Sequence, residues 1–114
     1  MNMLNSLILE GVVTRELTDN PDCKDFEIAV SRFYKNAEGG MKEEKSFFTV
    51  ELYGNMAEHE TIIRNLYKDR GVRVVGRLKQ RRWKDEEGKE YSRVVVIAEH
   101  IEFKPHVKKP CETD

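Results

Sequence analysis

Strand length limits the folds open to this chain more than any other feature. From Val72 to Trp83 the sequence VRVVGRLKQRRW reads as extended chain. Twelve such residues span about 40 Å at ~3.3 Å each, whereas typical strands reach only ~17–20 Å. Val72–Lys84 and Glu90–Phe103 form two strands of this kind around Asp85-Glu-Glu-Gly88. Between Lys79 and Glu90 the only apolar side chain is Trp83, so the tip has nothing to bury in a core. The hairpin must project beyond the body or bend around it. It is an arm.

Three more strands precede it. Leu4–Thr14 is rich in Leu, Ile and Val, and Gly11 inside it suits a bulge or sharp bend. After the turn cluster Asp19-Asn20-Pro21-Asp22, Phe26–Tyr34 places Phe26, Ile28 and Val30 on one face. Asn36–Lys45 reads as an exposed polar loop around Gly39-Gly40. In Ser46–Tyr53, Phe48, Val50 and Leu52 share a core-like face, and Phe47, Thr49, Glu51 and Tyr53 share an outward one. A helix follows. Asn55 and Glu58 make its capping box, Met56, His59, Ile63, Leu66 and Tyr67 keep helical spacing, and Gly71 ends it in a left-handed turn. Five strands with one helix between the third and fourth is the layout of the OB-fold, a Greek-key barrel. Other small α+β arrangements share this order.

At 114 residues the chain holds one domain. No apolar run approaches the ~20 residues of a membrane span, so a cytoplasmic place is expected, with no membrane partner. Cys23 and Cys111 give neither a Cys-x-x-Cys site nor a disulfide framework. His59, His100 and His106 lack metal-ligand spacing, and no Walker loop or nucleophile arrangement is present. Neither enzyme chemistry nor a cofactor is expected.

Net charge is −1, but it is segregated. Residues 1–63 hold 6 Lys/Arg against 12 Asp/Glu, and residues 64–93 hold 11 against 5. A basic segment in a near-neutral chain is the footprint of a polyanion site, although a solvated charged face leaves the same count. The arm makes the case sharper. Arg77, Lys79, Arg81 and Trp83 fall on one parity, Arg82 and Lys84 on the other, and Arg93 returns on the partner strand. Cations that track phosphates beside a ring that stacks on any base are what single-strand binding needs. Alternatively, Trp83 packs on its own hairpin partner while the cations keep an edge soluble. Phe47 and Tyr53, outward on their strand, await a cover of bases or of a neighbouring subunit. Of Phe33 and Tyr34 one should face the core; parity leaves open which, because a bulge would swap them.

These residues resemble the bacterial single-stranded DNA-binding protein family. The likeness runs from about Leu4 to Phe103. It rests on Asn5-Ser-Leu-Ile-Leu-Glu-Gly11, Met41-Lys-Glu-Glu-Lys-Ser-Phe-Phe48, Glu51-Leu-Tyr-Gly54 and Val75-Gly-Arg-Leu-Lys-Gln-Arg-Arg-Trp83 before an Asp-x-x-Gly turn. The resemblance implies an all-β OB-fold over residues 1–104, with long hairpin arms and a short polar tail over 105–114. It further implies a homotetramer, a dimer of dimers built through the first strand, with single-stranded DNA wrapped over it during replication, recombination and repair, associated with the nucleoid. Its stacking aromatics carry over onto Tyr34, Phe47, Tyr53 and Trp83, which selects Tyr34 over Phe33. Its basic groove carries over onto Arg70, Lys79, Arg81 and Arg82, while Asn55 stands where a lysine is common. The chain departs from the family at Lys108–Asp114, which lacks the usual acidic, hydrophobic tip that recruits replication and repair proteins. Two other readings are a dimeric primosomal-type OB-fold accessory protein and an OB-fold module that binds protein or structured RNA.

Overall fold

The structure, a computed structural model, describes residues 1–20 and 23–105. Five strands close into one barrel: β1 Leu7–Asp19, β2 Lys24–Lys35, β3 Met41–Leu52, β4 Gly71–Lys84 and β5 Glu90–Phe103, in the spatial order β1-β2-β3-β5-β4. The expected all-β OB-fold is what the chain forms. Closure depends on β1 serving two neighbours. It pairs with β4 from Leu7 to Val12 and with β2 from Val12 to Asp19. Gly11 lies where it changes partner. A Cβ there would meet the Ala29 carbonyl oxygen at 2.5 Å, so only glycine permits the approach. The last seam is the parallel β3–β5 contact, Val50↔Val96 and Glu51↔Ile97.

Alternation fills the interior. Val13, Phe26, Ile28, Val50, Leu52, Val72, Val74 and Val96 are fully or almost fully buried in one cluster. Both hairpins outrun it. The radius of gyration is 17.0 Å, against about 13 Å for a compact chain of this length.

Several expectations are corrected. Residues 41–45 are strand rather than loop, because they pair with the extension of β2 from Ser31↔Lys45 to Lys35↔Met41. The turn shrinks to Asn36–Gly40, whose Asn36 Oδ1 accepts from the Glu38 and Gly40 amides at 3.1 and 2.8 Å. The single helix is two short ones, α1 Asn55–Glu58 and α2 Glu60–Asn65, broken where His59 is extended. Gly54 rather than Asn55 is the N-cap, with no side-chain cap bond, so the capping box does not form. Met56, Ala57, Ile62 and Leu66 need only these two turns to pack on the barrel core. Gly71 opens β4 opposite Val12, and Asp69 takes the left-handed turn at φ 74. An aspartate tolerates that conformation. Pro21, Asp22, His106 and the tail, Cys111 included, lie outside the described residues.

Candidate nucleic-acid interface

Register decides which side chains share a surface, since opposed residues in a ladder point to one face. The pairs Trp83↔Tyr91, Arg81↔Arg93, Lys79↔Val95 and Arg77↔Ile97 run down the arm. Ile97 then opposes Glu51 on β3, and alternation brings Thr49 and Phe47 onto the same face. The expected parity is therefore continuous from the arm tip, across the barrel wall, to Phe47, although Val95, Ile97 and Glu51 along it are buried. Lys79 Nζ lies 5.9 Å from the centre of the Tyr53 ring, a cation–π distance that joins the arm to the end of β3.

The aromatics differ in how they are presented. Phe47 is 58% exposed and Trp83 48%. Trp83 stacks on Tyr91 with ring centres 5.8 Å apart and planes 15° from parallel. Packing on a hairpin partner and remaining open to solvent thus hold together: one side of the indole has its own aromatic floor. Sequence reasoning passed over Tyr91, although counting back across the Asp85–Lys89 turn pairs it with Trp83. An open cleft of about 420 Å³ lies here, with Gln80, Arg82, Trp83 and Tyr91 among its lining residues.

Neither Phe33 nor Tyr34 faces the core, contrary to expectation: they are 63% and 40% exposed. They sit where the β2–β3 hairpin has left the barrel, so neither of its faces meets an interior. Phe33 shares the Phe47 face through Phe33↔Glu43 and Ala29↔Phe47. Tyr34 looks the other way, with the Arg32 guanidinium 5.9 Å from its ring.

The cations also divide. Lys79, Arg82 and Arg93 are exposed and form no ion pair among the described residues. Arg77 approaches Glu99 only at 3.9 Å. Arg70 is packed inward, 5.8 Å from the Tyr67 ring and 5.2 Å from Phe103, and donates to the Lys104 carbonyl at 3.0 Å. Arg81 turns to Glu51, donating from Nε to Oε2 at 2.9 Å. Glu51 keeps the expected outward parity but is only 3% exposed, because Arg81 and the Tyr53 hydroxyl cover it.

A carboxylate also holds the arm tip. Asp85 Oδ1 accepts from the Glu87 and Lys89 amides, both at 2.9 Å, and Tyr91 donates its hydroxyl to Oδ2 at 3.1 Å. The Lys89 amide foremost, with help from Tyr91, lowers the Asp85 carboxyl below its ordinary 3.8. A depressed folded value means tip order present above pH 3.8 and lost as pH falls through the lowered value. Trp83 emission in the free protein should change in that acid range, and Asp85→Asn should abolish the step. An unaltered acid titration in the variant would break the link.

Residues 4–104, almost the whole described chain, match the Single-strand binding protein family. The chain belongs to that family. Its relatives include the single-stranded DNA-binding protein of Aquifex aeolicus, 38% identical over 104 residues, which are 87% of this chain and 69% of that protein. The Helicobacter pylori protein of the same description is 32% identical over 108 residues, 89% of this chain and 58% of that protein. This member of the family thus spans only part of either relative's length. Among solved structures, a Plasmodium falciparum SSB complex with ssDNA superposes with a TM-score of 0.77 over 92% of this chain and 98% of that one. At 20% identity that is likeness of fold alone. A deletion mutant of the Thermus aquaticus single-stranded DNA binding protein gives 0.71 at 28% identity, over 90% and 51%.

Proposed function

We propose that this chain binds single-stranded DNA without regard to sequence, by stacking bases on Trp83, Tyr53 and Phe47 and placing phosphates along Arg77, Lys79, Arg82 and Arg93. The observation that carries the reading is the sheet face that bears the rings of Trp83, Tyr53 and Phe47 together with Lys79 and Arg93, which form no ion pair among the described residues, and Arg77, 3.9 Å from Glu99. Arg82 lines the cleft beside Trp83 from the opposite face. Each stacked base contributes ~1–3 kcal/mol, and any base offers a flat surface. Tyr34, on the reverse of the β2–β3 hairpin with Arg32 beside it, supplies a further ring where a strand wraps that hairpin. Arg81 stands in the same row but is engaged by Glu51, and Arg70 packs on Tyr67 and Phe103. Family membership supports the same activity, which is binding rather than catalysis.

Wrapping belongs to the proposal. Ile8 and Val12 stand exposed on β1 either side of Glu10, which Arg73 pairs, a face suited to a subunit contact, and a homotetramer made as a dimer of dimers would link several such faces. Linked sites act at high effective concentration, so moderate faces yield a tight complex. Service in replication, recombination and repair, at the nucleoid in the cytoplasm, follows from that activity.

Titration with dT oligomers of increasing length tests it. Trp83, the single tryptophan, should be quenched, and log K should fall by about 0.7 per neutralised phosphate for each decade of salt. No quenching, with duplex bound as well as oligo(dT), would defeat the proposal. Transfer RNA competing as well as oligo(dT) would point to a structured-RNA module instead.

A further inference from the structure

Two carboxylates lie side by side on the face just described, because Asp25 of β2 opposes Glu51 of β3. Both are buried. Like charges opposed across a ladder repel, and a buried carboxylate needs a partner of its own. Asp25 has two: Arg15 donates to Oδ1 at 2.7 Å and Asn20 to Oδ2 at 2.6 Å. It therefore makes no demand on Arg81. Glu51 takes the rest of the local hydrogen-bonding capacity. Tyr53 donates its hydroxyl to Oε1 at 2.7 Å, and Arg81 forks across the carboxylate, Nε to Oε2 at 2.9 Å and Nη2 to Oε1. Arg81 Nη2 also donates to the Tyr53 oxygen, closing a triangle of Glu51, Tyr53 and Arg81.

The triangle reaches the proposed DNA surface at two points. Tyr53 is one of its rings, and here the ring is tethered at its far end, so less rotational freedom is lost when a base settles on it. Arg81 belongs by position to the cation row, between Lys79 and Trp83, but its charge is matched by Glu51. Binding to a polyanion gains from cations that release counterions. A guanidinium already forked on a buried carboxylate brings no net charge to a phosphate.

We infer that Glu51 is a positioning residue which fixes the Tyr53 ring for stacking and withholds Arg81 from phosphate binding. The inference rests on the single-strand binding reading and refines how that surface is tuned. Carboxylate at this one position sets the balance between stacking and salt-dependent attraction.

The test compares the intact protein with Glu51→Gln, with the double variant Glu51→Gln/Arg81→Gln and with Glu51→Leu, each titrated with labelled oligo(dT) across a range of salt. Glu51→Gln keeps an acceptor for the Tyr53 hydroxyl but releases Arg81. Its plot of log K against log salt should steepen by about 0.7, one further phosphate. The double variant, in which no buried carboxylate is stranded, should return to the wild-type slope. Glu51→Leu also releases Arg81 but offers Tyr53 no acceptor. At high salt, where phosphate attraction is screened, it should bind several-fold more weakly than Glu51→Gln. A slope for Glu51→Gln equal to that of the double variant would overturn the withholding of Arg81. So would a wild-type slope steeper than the double variant's. Equal high-salt affinities for the Gln and Leu variants would overturn the positioning of Tyr53. Failure of the wild type itself to bind oligo(dT) is a separate result, which removes the binding proposal first and this inference with it.

Discussion

Trp83→Ala should weaken oligo(dT) binding by about 5- to 150-fold per binding face, the equivalent of ~1–3 kcal/mol for one stacked base, while leaving thermal stability almost unchanged. The ring is half exposed at the tip of an arm that the core does not reach. Its removal therefore creates no cavity, and what is lost is ligand contact. Tyr91 remains as a floor with nothing stacked above it, so Trp83→Phe should recover much of the loss. Because the variant has no tryptophan, anisotropy of a labelled strand is the measurement to use. Affinity within experimental error of the wild type would mean that the indole serves the hairpin alone.

The largest effect on folding is expected from Gly76→Ala. Gly76 opposes Ala98 where β5 carries an irregularity, the register slipping by one residue between Val75↔His100 and Gly76↔Ala98. An added Cβ would stand 2.1 Å from the Ile97 carbonyl oxygen and 3.0 Å from its carbon. Both are backbone atoms of a buried strand and have no rotamer by which to move aside. Overpacking a well-filled interior costs typically ~1–3 kcal/mol, occasionally more, and this contact belongs at the upper end. At roughly 4–8 °C per kcal/mol for a domain near this size, the melting midpoint should fall by about 10 °C or more. Gly40→Ala is the control: its nearest neighbours are Asn36 side-chain atoms at 3.6 Å, an ordinary contact. A Gly76 variant as stable as that control would show that the strand yields more easily than its pairing suggests.

Much of this was legible in the sequence, for a physical reason. Strand alternation has a period of two, so Phe47 and Glu51 on one strand, and Arg77, Lys79, Arg81 and Trp83 on another, could be assigned to a face without knowing the fold. What parity does not give is depth. Glu51 shares a face with Phe47, yet one is covered and the other open, because Arg81 reaches across from a strand some thirty residues away. Parity also presumes a core on one side. That presumption fails for Phe33 and Tyr34, where β2 and β3 have only each other. The segment 41–45, MKEEK, carries almost no apolar signal and folds as strand only because residues 31–35 lie opposite it. The helix failed differently. Met56 to Tyr67 keep helical spacing, but the chain needs only two turns to plug the barrel, and His59 breaks away between them.

The parallel joint between β3 and β5 is the narrowest in the barrel, two opposed residue pairs wide, and Glu51 is one of the four residues forming it. The rims of that joint carry Phe47 and Tyr53 on one side and the arm with Trp83 on the other. A nucleic acid strand resting on both rims would brace the joint from outside, as a strap holds a split stave. Occupancy and barrel integrity would then rise together, since a ligand that binds only the closed form draws the population toward it.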